Sequence, residues 1–290
     1  MNSESTLTDA RLTTRPAVES DRNQLASLIH FETHVHRHLD WRPPLDWLGL
    51  SPYLIGEQNG RLLAALACPP DPPGVAWIRL FAVTRRETAA AAWRQMWPQA
   101  REQLAELPAR CAAAIPLQDW FRELLLESGF EHAHNVVVLL WDNAQRDLPP
   151  VQAGCALRAM KADDLPAVQE LDAAAFGEIW RNSLSTLELA FKGSALARVV
   201  EDEDGLLGYQ ISTHSPFGAH LARLAVHPRA QRRGIGYALV RDLQQHYEDP
   251  PLTRITVNTQ DHNNLSLALY QKAGFRQTSE QYPVFQLDLE

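Results

Sequence analysis

The chain is poor in cysteine. Cys68, Cys111 and Cys155 are its only three, widely separated and with no Cys-x-x-Cys pair. A disulfide framework and a thiolate metal centre are therefore not expected, and each cysteine reads as a small buried apolar residue in a reducing compartment. Positive charge is also in deficit, with 27 Lys and Arg against 35 Asp and Glu, a net charge of −8 and a pI near 5.8. That balance argues against non-specific nucleic-acid binding, which needs a basic face. No run approaches the ~20 apolar residues of a membrane span, and the opening residues lack a basic stretch followed by an apolar one. A cytoplasmic protein without membrane or nucleic-acid partners is expected.

What is present is an ordinary globular mixture, 45% hydrophobic and 21% charged, in a chain of 290 residues, long enough for two domains. The two halves share a plan. Arg15 and Asp21 recur as Arg158 and Asp164, 143 positions later, and Ala82-Val83 recurs as Ala225-Val226 at the same offset. Ser128-Gly129-Phe130 returns as Ala273-Gly274-Phe275 at an offset of 145. The order and spacing of these matches predict two copies of one fold, over 10–143 and 155–290, with a polar, proline-bearing seam at 142–154.

In the second half, short strands are expected at 156–160, 195–201, 208–213, 221–226, 254–259 and 282–287. Helices are expected from Asp163-Asp164 to about Phe176, over 236–247 and over 264–272. The order β-α-β-β-β-α-β-α-β predicts an α/β fold, a mixed sheet with helices on its faces.

The stretch Leu224–Leu239 carries the most chemistry. A strand ends at Val226 and Pro228 interrupts its ladder. Gln231-Arg232-Arg233-Gly234-Ile235-Gly236 then leads directly into a helix. The first N–H groups of a helix lack internal partners and carry the positive end of its dipole, and glycines let a phosphate come close. The arginines, with Arg229, add charge, so the loop reads as a pyrophosphate cradle. The dinucleotide fingerprint fails because Leu239 stands where its third glycine belongs, and no Gly-Lys-Ser/Thr marks a P-loop. Gln231-x-x-Gly234-x-Gly236 after a strand and Val-x-Pro resembles the acyl-CoA loop of the GNAT acetyltransferase superfamily. Downstream, Asn263, Ser266, Leu269, Tyr270, Gly274 and Phe275 resemble that family's second motif, at compatible spacing.

The resemblance implies two tandem GNAT-like domains and direct transfer of an acetyl group from acetyl-CoA to the primary amine of an acceptor. It implies that Leu224, Ala225 and Val226 meet the pantetheine arm, and that an N–H at Leu224 or Ala225 polarises the thioester carbonyl. Gln231, Arg232, Arg233, Gly234, Ile235 and Gly236 would hold the pyrophosphate. Asn263 would hold the pantetheine or cap a helix, and Tyr270 would protonate the leaving thiolate or serve only as a core aromatic. Some relatives have a Glu five residues before the motif Asn, but here Asn258 stands there and cannot accept a proton. Glu178, His214 and His220 are the remaining base candidates, each also readable as a surface or loop residue. Acceptor contacts are expected from the loops Phe176–Lys192 and Ser212–His220 and from part of the first half. The protein is expected as a monomer or homodimer, with no metal.

At offset 143 the loop glycines Gly234 and Gly236 become Ala91 and Trp93, and at offset 145 Asn263 and Tyr270 become Gln118 and Leu125. No Gly-x-Gly occurs in 75–110, so the first half is expected to keep the fold without binding CoA. His34-Val35-His36-Arg37-His38 invites a metal reading, but no Cys accompanies it, and a loop facing solvent or the acceptor is expected instead. A second functional reading is a catalytically silent acyl-CoA-binding or regulatory protein.

Overall fold

A computed structural model describes residues 12–142, 148–151, 154, 156–247 and 254–289. Most of the expected seam, and Cys155, lie outside them. The chain divides into two compact units, one running to Ala133 and resuming at Val284, the other His134–Pro283.

The first unit contains β1 (Thr13–Pro16), α1 (Arg22–Phe31), β2 (His34–Arg37), β3 (Tyr53–Gln58), β4 (Arg61–Ala67), β5 (Gly74–Trp77), β6 (Leu80–Val83), α2 (Ala89–Ala105), β7 (Ala109–Ala114) and α3 (Asp119–Glu127). One sheet has the order β1-β3-β4-β6-β2, while β5 pairs in parallel with β7. On one face of the sheet Trp93, Met96 and Trp97 of α2 pack with Phe81 and Phe121; on the other, Leu25 and Leu28 of α1 pack with Ile55 and Trp47. β8 (Glu131–Trp141) leads out of the first half, and its residues 136–141 pair with a strand of the second unit.

The second unit continues with β9 (Leu157–Ala159), α4 (Leu165–Ala175), α5 (Leu184–Lys192), β10 (Leu196–Asp202), β11 (Gly205–Ser215), β12 (Gly218–Val226), α6 (Ile235–His246), β13 (Ile255–Gln260), α7 (Asn264–Lys272) and β14 (Arg276–Asp288). Its strands run β8-β13-β12-β11-β10-β9. Residues 285–288 of β14 pair with β7, so the first unit takes its last strand from the far end of the chain. The mixed α/β fold matches the expectation. One helix was not anticipated: α5, capped by Ser183 on Thr186 N–H, occupies part of the stretch read as an acceptor loop.

The internal repeat is physical as well as numerical. Arg15 grips both oxygens of Asp21 at 2.8 Å and also reaches Glu57. Arg158 grips Asp164 at 2.7 and 2.9 Å and reaches Glu201 in the same way. In each copy the Arg also donates to the carbonyl of the next residue, and the Asp accepts a backbone N–H three residues before it. A three-residue clasp of this geometry at two matched places, each joining a first strand, a helix entry and a hairpin, is the signature of a duplicated fold.

Candidate active site

β12 is the element around which the site is built. Its parallel ladder with β13 has three rungs, Ala219–Ile255, His220–Thr256 and Leu221–Val257, and then stops. Its antiparallel ladder with β11 continues to Val226, with Ala222 left over as a bulge between Leu221 and Arg223. The two strands therefore part beyond Leu221 and leave one edge of β12 uncovered. Backbone alternation says which groups face the gap. His227 N–H donates to Leu207 O at 2.8 Å, toward β11. Counting back, Ala225 also faces β11, whereas the N–H and C=O of Leu224 and Val226 face away from it. Gln231 Nε2 reaches Val226 O at 3.3 Å from that side. Of the two residues considered for a thioester-polarising N–H, Leu224 turns its N–H toward the uncovered edge and Ala225 turns its own toward β11.

The loop after β12 has the backbone of an anion cradle. Arg232 has φ +62° and Gly234 has φ +80°, and Gly234 caps α6 without a side-chain acceptor. The first N–H groups of α6 thus stay available. Left-handed backbone at a non-glycine residue such as Arg232 is uncommon and concentrates at functional turns. A Cβ on Gly236 would lie 3.1 Å from Leu269 Cδ2 and 3.5 Å from Val226 Cγ2, so a side chain here would crowd the contact of α6 with α7. Arg232 and Arg233 are exposed, and Arg233 lies near enough to Asp202 to help hold its carboxyl below the usual range. Arg229, read from sequence as part of the cradle's charge, instead pairs with Asp202 at 2.9 Å.

Tyr270 lies in the apolar cluster that Leu224, Tyr237, Val257 and Phe275 share. Burial raises its hydroxyl well above the usual phenol range, and Arg223 pulls weakly the other way. The group is protonated at neutral pH, as an acid must be before it acts. Asn263 does cap α7: its Oδ1 accepts Ser266 N–H at 3.2 Å, and its Nδ2 reaches Gln260 Oε1 at 3.3 Å. Glu178 and His214 are exposed, and the His214 ring rests against Tyr247. His220 is half-buried beside Thr256.

A buried ion pair escaped the sequence reading. Asp172 on α4 is wholly enclosed, takes Arg223 Nε at 2.8 Å and accepts the Tyr209 hydroxyl. Arg223 also donates to Trp180 O at 2.5 Å and stacks over Phe176 at 3.5 Å. One residue past the bulge, the network fastens the segment after α4 to β12. Its members lie 37 and 51 residues apart, so no local pattern advertises them.

The first unit has the same frame with every opening filled. β6 corresponds to the end of β12, and Thr84 N–H donates to Leu63 O at 2.8 Å, as His227 does to Leu207. By the same alternation Phe81 and Val83, the counterparts of Leu224 and Val226, face away from β4. There β2 lies, with His36 opposite Phe81 and His34 opposite Val83. At α2 the cap is Thr88, whose hydroxyl takes Ala91 N–H at 3.1 Å. Trp93, at the Gly236 position, is buried and donates to Ser128 at 2.7 Å. The histidine-rich segment is therefore not a solvent-facing loop. His36 is buried and His38 half-buried, and His36 stacks on Phe121 with its Nε2 at Ile78 O and its pKa pushed down to about 4 by burial. Among the described residues no group of three His, Cys, Asp or Glu side chains is placed to hold a metal.

The open β12 edge, the uncapped glycine turn and the adjacent tyrosine lie on elements that known proteins share. The sequence profile of the acetyltransferase (GNAT) family matches residues 165–275. The chain carries a GNAT domain. A peptidyl-lysine N-acetyltransferase of Escherichia coli K12, YiaC, is 28% identical over 127 residues, 41% of this chain and 82% of the relative. The whole chain has the tandem GNAT fold. A tandem GNAT protein from the clavulanic acid biosynthesis pathway superposes with a TM-score of 0.59 at 17% identity, over 97% of this chain and 99% of that one. A GCN5-related N-acetyltransferase from Anabaena variabilis gives 0.70 at 13% identity, over 97% of this chain and 73% of that one.

Proposed function

We propose that the protein moves an acetyl group from acetyl-CoA to a primary amine, with one working site, in the GNAT domain of the second unit. The observation that carries this reading is the uncovered edge of β12 leading directly into an uncapped helix N-terminus. Acetyl-CoA supplies the activated thioester. The N–H groups of α6, with Arg232 and Arg233, bind the pyrophosphate, and the facing groups of Leu224 and Val226 pair with the amide-bearing arm. The N–H of Leu224 stabilises the oxyanion that forms when the amine adds to the thioester carbonyl. Tyr270 donates its proton to the departing sulfur. Asn263 holds the start of α7, and thereby Tyr270, in place.

The first unit has no second site in this account. Its β2 consumes the backbone groups that a pantetheine arm would need, Thr88 consumes a helix N–H, and Trp93 stands where the backbone would meet phosphate. A peptidyl lysine is the first acceptor to test, because the relative 28% identical over 127 residues is named for that reaction. A small amine, an aminoglycoside-like compound, an amino acid or a peptide N-terminus would follow.

Tyr270→Phe tests the chemistry. Removing a general acid should lower kcat by about 10²-fold or more, with acetyl-CoA affinity unchanged. Unchanged turnover in the variant would remove Tyr270 from the mechanism. A wild-type protein that binds acetyl-CoA but transfers to none of these amines would favour the silent, regulatory reading.

A further inference from the structure

A transferred amine must lose a proton, and resting on the transferase reading the structure offers one group placed to take it. His220 stands on the second of the three β12–β13 rungs, directly opposite Thr256. Its Nδ1 is 2.9 Å from Thr256 Oγ1, and the Thr256 hydroxyl donates to Ala219 O at 3.5 Å. A hydroxyl has one proton. With that proton turned to Ala219 O, Thr256 accepts from the ring. Nδ1 then carries the hydrogen and Nε2 keeps its lone pair.

The placement is consistent with use. Ala219 and Leu221 point to the α6 side, where they pack with Val240 and Leu243. His220 takes the opposite face, and past the bulge Arg223 joins it there, meeting Asp172 and Phe176. Arg223 of β12, Asp172 of α4 and Tyr209 of β11 lie on that face, bound to one another. Thr213 of β11 stands opposite His220, and β13 contributes Thr256 and the non-basic Asn258. Burial lowers the His220 pKa, so the ring is neutral near pH 7. His220 and Leu224 are separated by about 13 Å of extended strand, so the proton crosses by way of water.

We propose that His220 is the general base of acetyl transfer and that Thr256 is the positioning residue that keeps its Nε2 free. In the step, the amine nitrogen forms the new C–N bond and the C–S bond breaks. The amine proton passes through water to His220 Nε2, and the sulfur receives the Tyr270 proton. Afterwards the imidazolium returns its proton to solvent and the phenolate is reprotonated, which closes the balance.

Two measurements on the full-length protein test this. Nitrogen-15 NMR of labelled histidine, with His220→Gln to assign the signal, reads the tautomer without any acceptor. The expected result is Nδ1–H in the wild type, a shift toward Nε2–H in Thr256→Val and restoration in Thr256→Ser. A wild-type ring protonated at Nε2 overturns the proposal. The second reading is CoA release from acetyl-CoA with a lysine-bearing peptide, across pH 5.5–9 (about one unit either side of the histidine range). His220→Gln should lose about 10²-fold in kcat and the acidic limb of the profile. Thr256→Val should lose on the order of tenfold, the worth of one hydrogen bond, with the KM for acetyl-CoA unchanged, and Thr256→Ser should recover it. A His220→Gln protein that turns over like wild type, with the same profile, overturns the base while leaving the transferase reading intact. A wild type that releases no CoA with any amine overturns both the transferase reading and the base that rests on it, and the NMR result then stands alone as a fact about the ring.

Discussion

Asp172 has no exposed surface and is held by an arginine, a tyrosine and the backbone N–H of Asn182. Such a carboxylate holds its place because every lone pair is answered. Asp172→Ala leaves Arg223 charged and enclosed, so unfolding in urea should show a loss of roughly 3–5 kcal/mol. The double variant Asp172→Ala, Arg223→Met removes the stranded charge as well and should recover much of that loss. If the single variant were as stable as wild type, the pair would be a surface-like contact and not the clamp described above. The same residue is a lesson in legibility. Asp172, Tyr209 and Arg223 are unremarkable letters in sequence, and only the sheet brings them together. Gly234 and Gly236 stood out in sequence because they open a helix directly after a strand, and Tyr270 only through the resemblance of its segment to a family motif.

Among elements, the two Arg-Asp-Glu clasps tie the first strand of each unit to a helix entry and a hairpin. Arg158 holds Asp164 below its ordinary carboxylate range, and Arg15 does the same for Asp21. A depressed folded pKa contributes stability that is fully present above the unfolded value of about 3.9 and is lost as pH falls through the folded one. The Tm gap between wild type and Asp164→Asn should therefore be constant above about pH 5 and close on further acidification. A gap that widens in acid would contradict the sign. Element boundaries in the second half were largely legible, since helix and strand periods there are clean. Two elements were not. α5 buries Leu187 and Ala190, a spacing that was available, but a nine-residue helix amid loop residues gives a weak signal. β2 was harder: His34-Val35-His36-Arg37 is polar by letter, and only β6, some 45 residues on, makes it a strand.

For the molecule as a whole, duplication followed by divergence explains why one frame appears twice with opposite fittings. In the second unit, β12 is uncovered beyond Leu221 and α6 starts on a bare glycine. In the first, β2 covers the equivalent edge and α2 starts under a threonine cap with a tryptophan behind it. The loss of glycines was visible in the sequence, but the strand that fills the gap was not, because strand pairing is decided over long range. The measurement that tests this account most directly is acetyl-CoA binding by isothermal titration calorimetry, on wild type, Gly236→Trp and the milder Arg232→Ala, Arg233→Ala double variant, with Tm recorded for each. The account predicts one site per chain, abolished in the glycine variant and weakened in the arginine variant, whose Tm stays that of the wild type. Two sites in the wild type, or a full site surviving Gly236→Trp, would contradict it.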